Sequence, residues 1–327
     1  MSREAVIAAI RGASRITAIC HENPDADSLG AALAIRIAAE RLGKQAEVVA
    51  ADPLPPPLAG LPYAGEVRTV PRLEPDVAVV VDGPPSRTGA VARDCGAWLE
   101  RTTILNIDHH VSNDGSEAAV AWVDPEAAAT CEMVALMLPE LGVEIDTEIA
   151  TVLTAGIVQD THTFSHPNAT PRALRVAADL VEAGAPLAAL HRLIYADKQF
   201  ATLALWGLIL AGISSRRDGR IVYAAMTQEM LVRTGTDAVA SEGFIDLLAT
   251  TKAADITVLF KEADASQVRV SVRTTARADA VAITSAFGGG GHARAAGCTI
   301  EASLTEAIPR LLDECERELD RADARGR

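Results

Sequence analysis

Aromatic residues, cysteine pairs, long apolar runs and positive charge are all scarce in this sequence of 327 residues. Aromatic residues make up only 3%, so the core must be built mainly from alanine, valine, leucine and isoleucine. Hydrophobic residues account for 49% and charged residues for 23%, which is typical of a folded globular protein and argues against disorder. The length suits two domains, each able to bury its own core.

The five cysteines form no CxxC pair and have no regular spacing. An odd number without a pattern favours reduced thiols, which are typical of cytosolic proteins. No apolar run reaches the length of a membrane span without charge. The first fifteen residues carry charge at both ends and lack the apolar centre of a signal peptide. We therefore expect a cytoplasmic protein with no membrane partner.

The excess of negative charge limits the kind of nucleic acid that the chain could bind. Lysine and arginine number 30 against 44 acidic residues, a net charge of −14. Proteins that bind long nucleic acid through its phosphates are usually basic. We expect no long nucleic acid as a partner, and any nucleic-acid substrate to be short and held locally. Carboxylates clustered around metal ions would account for part of the acidity.

Hydrophobic patterning predicts an α/β protein. Short β-branched runs alternate with helical patterns in the first half, which implies a mostly parallel sheet wrapped by helices. After Gly219 the pattern changes, and a smaller α/β domain is predicted. The domain boundary is expected within 185–215. The predicted strands are 16–20, 46–51, 76–82, 102–108, 220–226, 255–260 and 267–272, and the predicted helices are 28–43, 125–141, 146–158, 171–183 and 186–213.

Acidic residues and histidines follow the predicted ends of several strands. In α/β sheets, ligands lie beyond the carboxyl ends of the strands. Four carboxylates and two imidazoles cannot share a small pocket without cations, because like charges repel. Oxygen and nitrogen ligands without thiolate suit Mn²⁺ or Mg²⁺, and their number suits two ions. The candidate ligands are His21, Asp25, Asp27, Asp82, His109 and Asp160.

These candidates differ in how specific they are. A single aspartate such as Asp82 or Asp160 is more often a helix cap or turn residue than a ligand. The segment HENPDADSLG (21–30) is more specific, since it has three potential ligands in seven residues. NIDHH (106–110) adds a second cluster, and the two are separated by VVVD (79–82). The occurrence of all three in this order argues against coincidence.

A glycine-rich segment near the C-terminus suggests an anion site. Consecutive glycines allow backbone N–H groups to approach an anion closely. Arginine suits bidentate phosphate recognition. A flexible glycine loop is the alternative, but the segment GGGGHARAAG with an upstream arginine favours a nucleotide-binding role. The candidates are Gly288, Gly289, Gly290, Gly291, His292, Arg294 and Arg273, with Arg269 and Arg277 weaker.

Five segments of the chain together resemble the DHH phosphoesterases, and the resemblance covers nearly the whole chain. The group most similar to it contains the nanoRNases and phosphoadenosine-phosphate phosphatases. This resemblance implies a DHH catalytic metal-binding domain over 1–185, a helical linker over 186–215 and a DHH-associated substrate-binding domain over 216–327. It places the active site in the cleft between the two domains. The segments are HENPDADSLG, VVVDGPPSR, NIDHH, GIVQDTHTF and FGGGGHARAAG.

The resemblance also implies roles for individual residues. His21 and Asp25 would bind one ion, and Asp27, His109 and Asp160 the other, with Asp82 bridging the two. His110 would face the substrate phosphate, and Asp108 would orient the histidines. One departure is His162, which stands where a small residue is usual and is expected to alter substrate fit or metal preference. A further segment, EGFID (242–246), resembles a sequence feature of the family, but the resemblance implies no role for it.

The function that the resemblance implies is hydrolysis of short oligoribonucleotides (nanoRNA) and linear dinucleotides to mononucleotides, by water activated between two metal ions. Hydrolysis of 3′-phosphoadenosine 5′-phosphate to AMP is a second expected activity. Two Mn²⁺ ions are expected, with Mg²⁺ or Co²⁺ as alternatives, and a homodimer is compatible with the sequence. A cyclic-di-AMP phosphodiesterase, a manganese inorganic pyrophosphatase and a non-catalytic nucleotide-binding module are the competing interpretations.

Overall fold

The computed structural model describes residues 2–94, 101–196 and 198–325. The chain divides into two compact units, Met1–Asp197 and Lys198–Arg327. Cys20, Cys131, Cys298 and Cys315 are free thiols, as predicted, while Cys95 lies outside the described residues. Among the described helices, none alone is long and apolar enough to cross a membrane, and only Leu187–Tyr195 taken together with Phe200–Ala211 meets that criterion by length and composition.

The first unit contains a five-stranded parallel sheet in the order β2-β1-β3-β4-β5. The central strand β3 is buried at every position, which explains its wholly apolar sequence. The four predicted strands are confirmed, whereas the edge strand β5 was missed because it is only four residues long. The strands are β1 (Arg15–Ile19), β2 (Gln45–Val49), β3 (Val77–Val81), β4 (Thr103–Asp108) and β5 (Val120–Val123).

Helix α2 is buried from Ala26 to Ala39 and packs against α4 and α5. Its many alanines and its glycine are small enough for neighbouring elements to pack on all sides of the helix. The helix therefore lacks the polar face of a surface helix. The helices of the first unit are α1 (Arg3–Gly12), α2 (Ala26–Arg41), α3 (Ala90–Asp94), α4 (Thr130–Leu141), α5 (Thr147–Asp160), α6 (Pro171–Glu182) and α7 (Leu187–His191), which continues as a π-helical turn over Arg192–Ala196. Short 3₁₀ turns cover Pro56–Gly60, Ala64–Glu66 and Pro85–Arg87.

The prediction of one helix over 186–213 was wrong. The structure has two helical segments here, Leu187–Ala196 and Phe200–Ala211. Gln199 has an extended backbone, with φ −63° and ψ 149°, and precedes the second helix. The apolar periodicity of both segments suggested a continuous helix, but the extended backbone at Gln199 separates them.

The second unit is built on a six-stranded mixed sheet in the order β10-β11-β9-β8-β7-β6, in which only β7 and β8 pair in parallel. Helices α11 and α12 pack with one apolar cluster on this sheet, and α8, α9 and α10 with another. The strands are β6 (Ser214–Arg216), β7 (Ile221–Met226), β8 (Ile256–Asp264), β9 (Gln267–Thr274), β10 (Gly290–His292) and β11 (Ala295–Ile300). The helices are α8 (Phe200–Ala211), α9 (Gln228–Thr234), α10 (Phe244–Ala249), α11 (Ala280–Thr284) and α12 (Leu304–Arg325), with 3₁₀ turns at Ala238–Ser241 and Ser285–Phe287.

Candidate metal centre

The carboxyl ends of β1, β3 and β4 present the predicted acids and histidines. His21 follows β1, and Asp25 is the N-cap of α2, where its Oδ1 accepts hydrogen bonds from the N–H groups of Asp27 and Ser28. Asp82 follows β3 with a φ of 61°, a left-handed conformation that few non-glycine residues adopt. Backbone strain of this kind is concentrated at functional sites.

Three groups of donor atoms share Asp82, and the ligand atoms of each group lie within 4.8 Å of one another. His21, Asp25 and Asp82 make the first group, Asp27, Asp82, His109 and Asp160 the second, and Asp82, His109 and His110 the third. The first two are the groups that the family resemblance implies, with Asp82 common to both. The structure therefore brings all six predicted ligands together, and their roles as ligands stay predictions.

The histidines of this cluster are oriented by backbone carbonyls. His21 Nδ1 lies 2.6 Å from the carbonyl oxygen of Glu22, and His109 Nδ1 lies 3.3 Å from that of Ala127. These contacts assign the Nδ1 proton in both rings and turn Nε2 toward the carboxylates. His21 Nε2 is 3.4 Å from Asp82 Oδ2, and His109 Nε2 is 3.1 Å from Asp160 Oδ2. Metal-ligating histidines are expected to donate a hydrogen bond from one ring nitrogen to a carbonyl oxygen while the other ring nitrogen faces the metal site.

Burial and mutual repulsion make the charged forms of the carboxylates in this cluster unfavourable. Burial, followed by the charges of Asp82 and Asp160, holds the pKa of Asp27 well above its usual range. Burial also raises the pKa of Asp160 to about 6. Burial alone would lower the pKa of His109, but its contacts with Asp160 and Asp82 raise that pKa to about 12. Buried carboxylates that require a positive neighbour fit a divalent cation, and the oxygen and nitrogen donors suit Mn²⁺ or Mg²⁺.

Asp108 is fully buried and holds His110, and it belongs to none of the three donor groups. Its Oδ1 lies 2.7 Å from His110 Nδ1 and accepts the N–H group of His109 over 2.8 Å. Asn113 donates to the other oxygen, Oδ2, over 2.6 Å. The hydrogen bond to Asp108 is the largest cause of the raised pKa of His110. Asp108 thus contacts the ring of His110 and the backbone of His109, and its role in orienting the histidines stays a prediction.

Sequence reasoning missed the residues that hold Asp27. The N–H groups of Thr130 and Cys131, at the start of α4, donate to the two oxygens of Asp27 over 2.6 and 2.8 Å. The N-terminus of a helix stabilises an anion in this way. At Gly156 in α5, a Cβ atom would lie 2.5 Å from Asp27 Oδ1, so glycine is needed for this close approach. No local signal in the sequence connects these positions with Asp27.

The second half of the glycine-rich segment forms a short strand, so the alternative of a flexible loop does not describe it. Gly290–His292 pairs with Ala295–Ile300 as an antiparallel hairpin. A Cβ atom at position 289 would lie 2.5 Å from Cβ of Cys298, and one at position 291 would lie 2.5 Å from the carbonyl oxygen of Ala295. Gly288 has a φ of 69°. Gly288 and Gly290 both have open space around the missing side chain, but of these two only Gly290 also has a φ that other residues adopt readily. Three of the four glycines are therefore needed by the fold itself.

The two main predicted arginines of the second unit, Arg273 and Arg294, already have protein partners. Arg294 Nη1 donates to the carbonyl oxygens of Thr275 and Ala278. Arg273 Nε donates to Asp246 Oδ1 over 2.9 Å, which gives the EGFID segment a partner. The backbone of His292 ends β10, and its side chain lies outside what the structure describes. The substrate-binding role of these residues stays a prediction.

Comparison with known proteins identifies the class. The sequence matches the DHH family, N-terminal domain, over residues 15–157 and the DHHA1 domain over residues 218–320. The chain belongs to the DHH family and is an enzyme of the phosphoesterase type, as its motifs predicted.

Individual relatives make the comparison more specific. A protein of Thermus thermophilus named bifunctional oligoribonuclease and PAP phosphatase NrnA is 34% identical over 92% of this chain and 89% of its own length. The Bacillus subtilis protein of the same name is 28% identical over 60% of this chain and 62% of its own length. The crystal structure of an exopolyphosphatase-related protein from Bacteroides fragilis covers 98% of this chain and 97% of its own, with a TM-score of 0.90 at 20% identity. That structure supports the fold alone.

Proposed function

We propose that this chain hydrolyses very short oligoribonucleotides to mononucleotides, with 3′-phosphoadenosine 5′-phosphate as a second substrate. The observation that carries the proposal is the pair formed by the first two donor groups, which share Asp82. Support for the substrate class comes from the Thermus thermophilus relative, whose name states both activities and which matches 92% of this chain. The match of residues 218–320 to the DHHA1 domain favours this function over a pyrophosphatase.

Two Mn²⁺ ions are the proposed cofactor, with Mg²⁺ or Co²⁺ as substitutes. One would be held by His21, Asp25 and Asp82, and the other by Asp27, Asp82, His109 and Asp160. When bound, such ions lower the pKa of water and neutralise charge on a phosphoryl group.

The chain's own side chains would orient the substrate. Asp108 fixes the His110 ring through Nδ1, 2.7 Å away. We propose that Nε2 of His110 donates to a phosphoryl oxygen, where charge builds up during the reaction. In the second unit, Arg273 and the N–H groups beside Gly290 would bind a terminal phosphate of the short substrate.

The test is a turnover panel with Mn²⁺, followed by chromatography. It contains RNAs of two to five nucleotides, linear pApA, cyclic-di-AMP, 3′-phosphoadenosine 5′-phosphate and pyrophosphate. Asp82→Asn removes the shared charge with little change in volume and is the inactive control. Far-ultraviolet circular dichroism verifies that this variant is folded, and calorimetric Mn²⁺ titration measures its remaining metal binding.

We expect mononucleotides from the linear substrates, loss of at least 100-fold in turnover for Asp82→Asn, and weaker Mn²⁺ binding. Turnover of cyclic-di-AMP alone would indicate a signalling phosphodiesterase. Turnover of pyrophosphate alone would contradict the assigned role of the second unit. Binding without turnover of any substrate would contradict the proposal.

A further inference from the structure

A second cluster of histidines lies beside the metal centre in the first unit. The chain has seven histidines, of which His21, His109 and His110 belong to that centre. Three more lie near Tyr195: the rings of His162 and His191 contact the Tyr195 ring, and His166 stacks on His162. The rings of His162 and His166 stack with centroids 5.1 Å apart and planes at 17°, and both residues are exposed. The Tyr195 ring lies 4.4 Å from that of His162 and is partly buried.

The backbone that presents His162 is strained. His162, Thr163 and Phe164 have φ values of 47°, 54° and 63°, three consecutive non-glycine residues in the left-handed region. Such residues persist only where the surrounding structure fixes them, and they are concentrated at functional sites. Glycine would adopt this conformation without strain. A large ring at position 162 is therefore retained against the preference of the backbone.

Several hydrogen bonds fix this strained segment. Phe164 donates its N–H group to Thr161 Oγ1 over 3.0 Å, and Ser165 Oγ donates to the carbonyl oxygen of His162 over 2.5 Å. Thr163 Oγ1 lies 2.8 Å from His191 Nδ1. These contacts fix the backbone that carries the His162 ring, and a preformed binding surface requires such a fixed backbone.

The cluster is anchored to the same residues that shape the metal centre. Tyr195 donates its hydroxyl to the carbonyl oxygen of Gln159 over 2.6 Å, and Gln159 Oε1 accepts the N–H group of Ala26 over 2.7 Å. Ala26 stands between the candidate ligands Asp25 and Asp27. His162 follows Asp160 by two residues, so their Cα atoms lie within about 7 Å of each other. A ligand spanning one nucleotide could contact both places.

The geometry does not favour a third metal site. The His162 and His166 rings lie face to face, whereas ligands of one ion must point a lone pair at a common position. In the part of the chain that the structure describes, the groups able to hold a metal ion contain neither residue. Flat, exposed imidazole rings beside a partly buried phenol ring instead match the surfaces on which single-stranded nucleic-acid bases stack.

We infer that His162, stacked on His166 and flanked by Tyr195, is a platform for one base of the substrate and thereby a specificity-determining residue. The inference rests on the proposed function, since it assumes a substrate with a base. The platform recognises a flat heterocycle rather than a phosphate, so it distinguishes nucleotides from pyrophosphate.

The test uses His162→Gly, because glycine removes the ring and relieves the backbone strain. We expect KM for pApA to rise roughly tenfold with kcat nearly unchanged, and the melting temperature to stay equal or rise. His162→Phe keeps a flat ring and should keep KM near that of the unaltered protein. Two dinucleotides, each with an abasic residue at one of the two positions, identify the base that stacks on the platform. KM for the dinucleotide that lacks this base should be the same for His162→Gly and for the unaltered protein.

An unchanged KM in His162→Gly, or equal increases for pApA and both abasic dinucleotides, would overturn the inference. So would a fall in melting temperature with lost activity in both variants, which would indicate a structural role. Binding is measured separately with Mg²⁺, by quenching of a dinucleotide that carries 2-aminopurine. Quenching by the unaltered protein but not by His162→Gly, together with no hydrolysis in the turnover panel with Mn²⁺, would support the platform while refuting the proposed function. No quenching by either would refute the platform.

Discussion

The backbone N–H group of Thr130 donates to Oδ2 of Asp27 over 2.6 Å, joining residues 103 positions apart in the sequence. The hydroxyl of the same threonine donates to Asp82 Oδ1 over 3.2 Å. Thr130 thus contacts one carboxylate from each of two elements, through its backbone and through its side chain. It begins α4, so the favourable electrostatics of a helix N-terminus act on both acids.

Removing the Thr130 hydroxyl should disturb Asp82 while leaving Asp27 in place. We predict that Thr130→Val lowers turnover about 10- to 100-fold, the effect typical of residues that orient metal ligands. Thr130→Ser keeps the hydroxyl and should retain most activity. The measurement is steady-state turnover of pApA at several Mn²⁺ concentrations. Equal activity in the valine and serine variants would show that the hydroxyl has no such role.

Arg172 should be important for stability through Glu132. The Glu132 carboxylate is fully buried, accepts the N–H group of Ala128 over 2.6 Å and contacts Arg172 Nε at 2.5 Å. Arg172→Met would leave this buried charge with less compensation, and we predict a loss of about 2 kcal/mol in the free energy of unfolding. Because Arg172 is partly exposed, the loss should fall below that of a fully buried pair. Arg175→Met, at an exposed position of the same helix α6, is the control for thermal denaturation.

If Arg172→Met and Arg175→Met melt at the same temperature, the Glu132 pair does not stabilise the fold. A larger loss in the first variant, with Mn²⁺ binding retained, would assign the pair to stability alone.

Substitution by alanine should have different effects at the neighbouring glycines Gly289 and Gly290. A side chain at position 289 would clash with β11, whereas the space at position 290 is open. We predict that Gly289→Ala lowers the melting temperature by several degrees, because backbone atoms must shift. Gly290→Ala should leave the melting temperature unchanged but raise KM for pApA, since its methyl group would obstruct the approach of a phosphate. An unchanged KM in Gly290→Ala would argue against anion binding at this hairpin.

Arg273 should affect substrate binding more than stability. Its ion pair with Asp246 is partly exposed, with side-chain exposures of 33% and 49%, and such pairs contribute about 1 kcal/mol or less. We predict that Arg273→Leu raises KM for pApA about tenfold and changes the melting temperature little. Arg269→Leu, on the same strand β9, is the matched control. Equal effects of the two substitutions would indicate a general loss of positive charge instead of a specific phosphate contact.

The sequence by itself determined the parallel sheet and the identities of the six predicted ligands. The reason is geometric: parallel strands end at one edge, so acids that directly follow several strands must come together there. His21, Asp82 and His109 each follow a strand closely enough for this argument to hold.

Only the tertiary structure decided which residues support that site. Thr130 and Gly156 contact Asp27 from helices that are distant in the sequence, and nothing in their own neighbourhood predicts these contacts. The left-handed turn at His162 depends on hydrogen bonds to other residues, and the glycine-rich segment became a strand because β11 pairs with it. Local patterns encode backbone periodicity, whereas contacts between distant side chains are fixed only when the helices and strands pack.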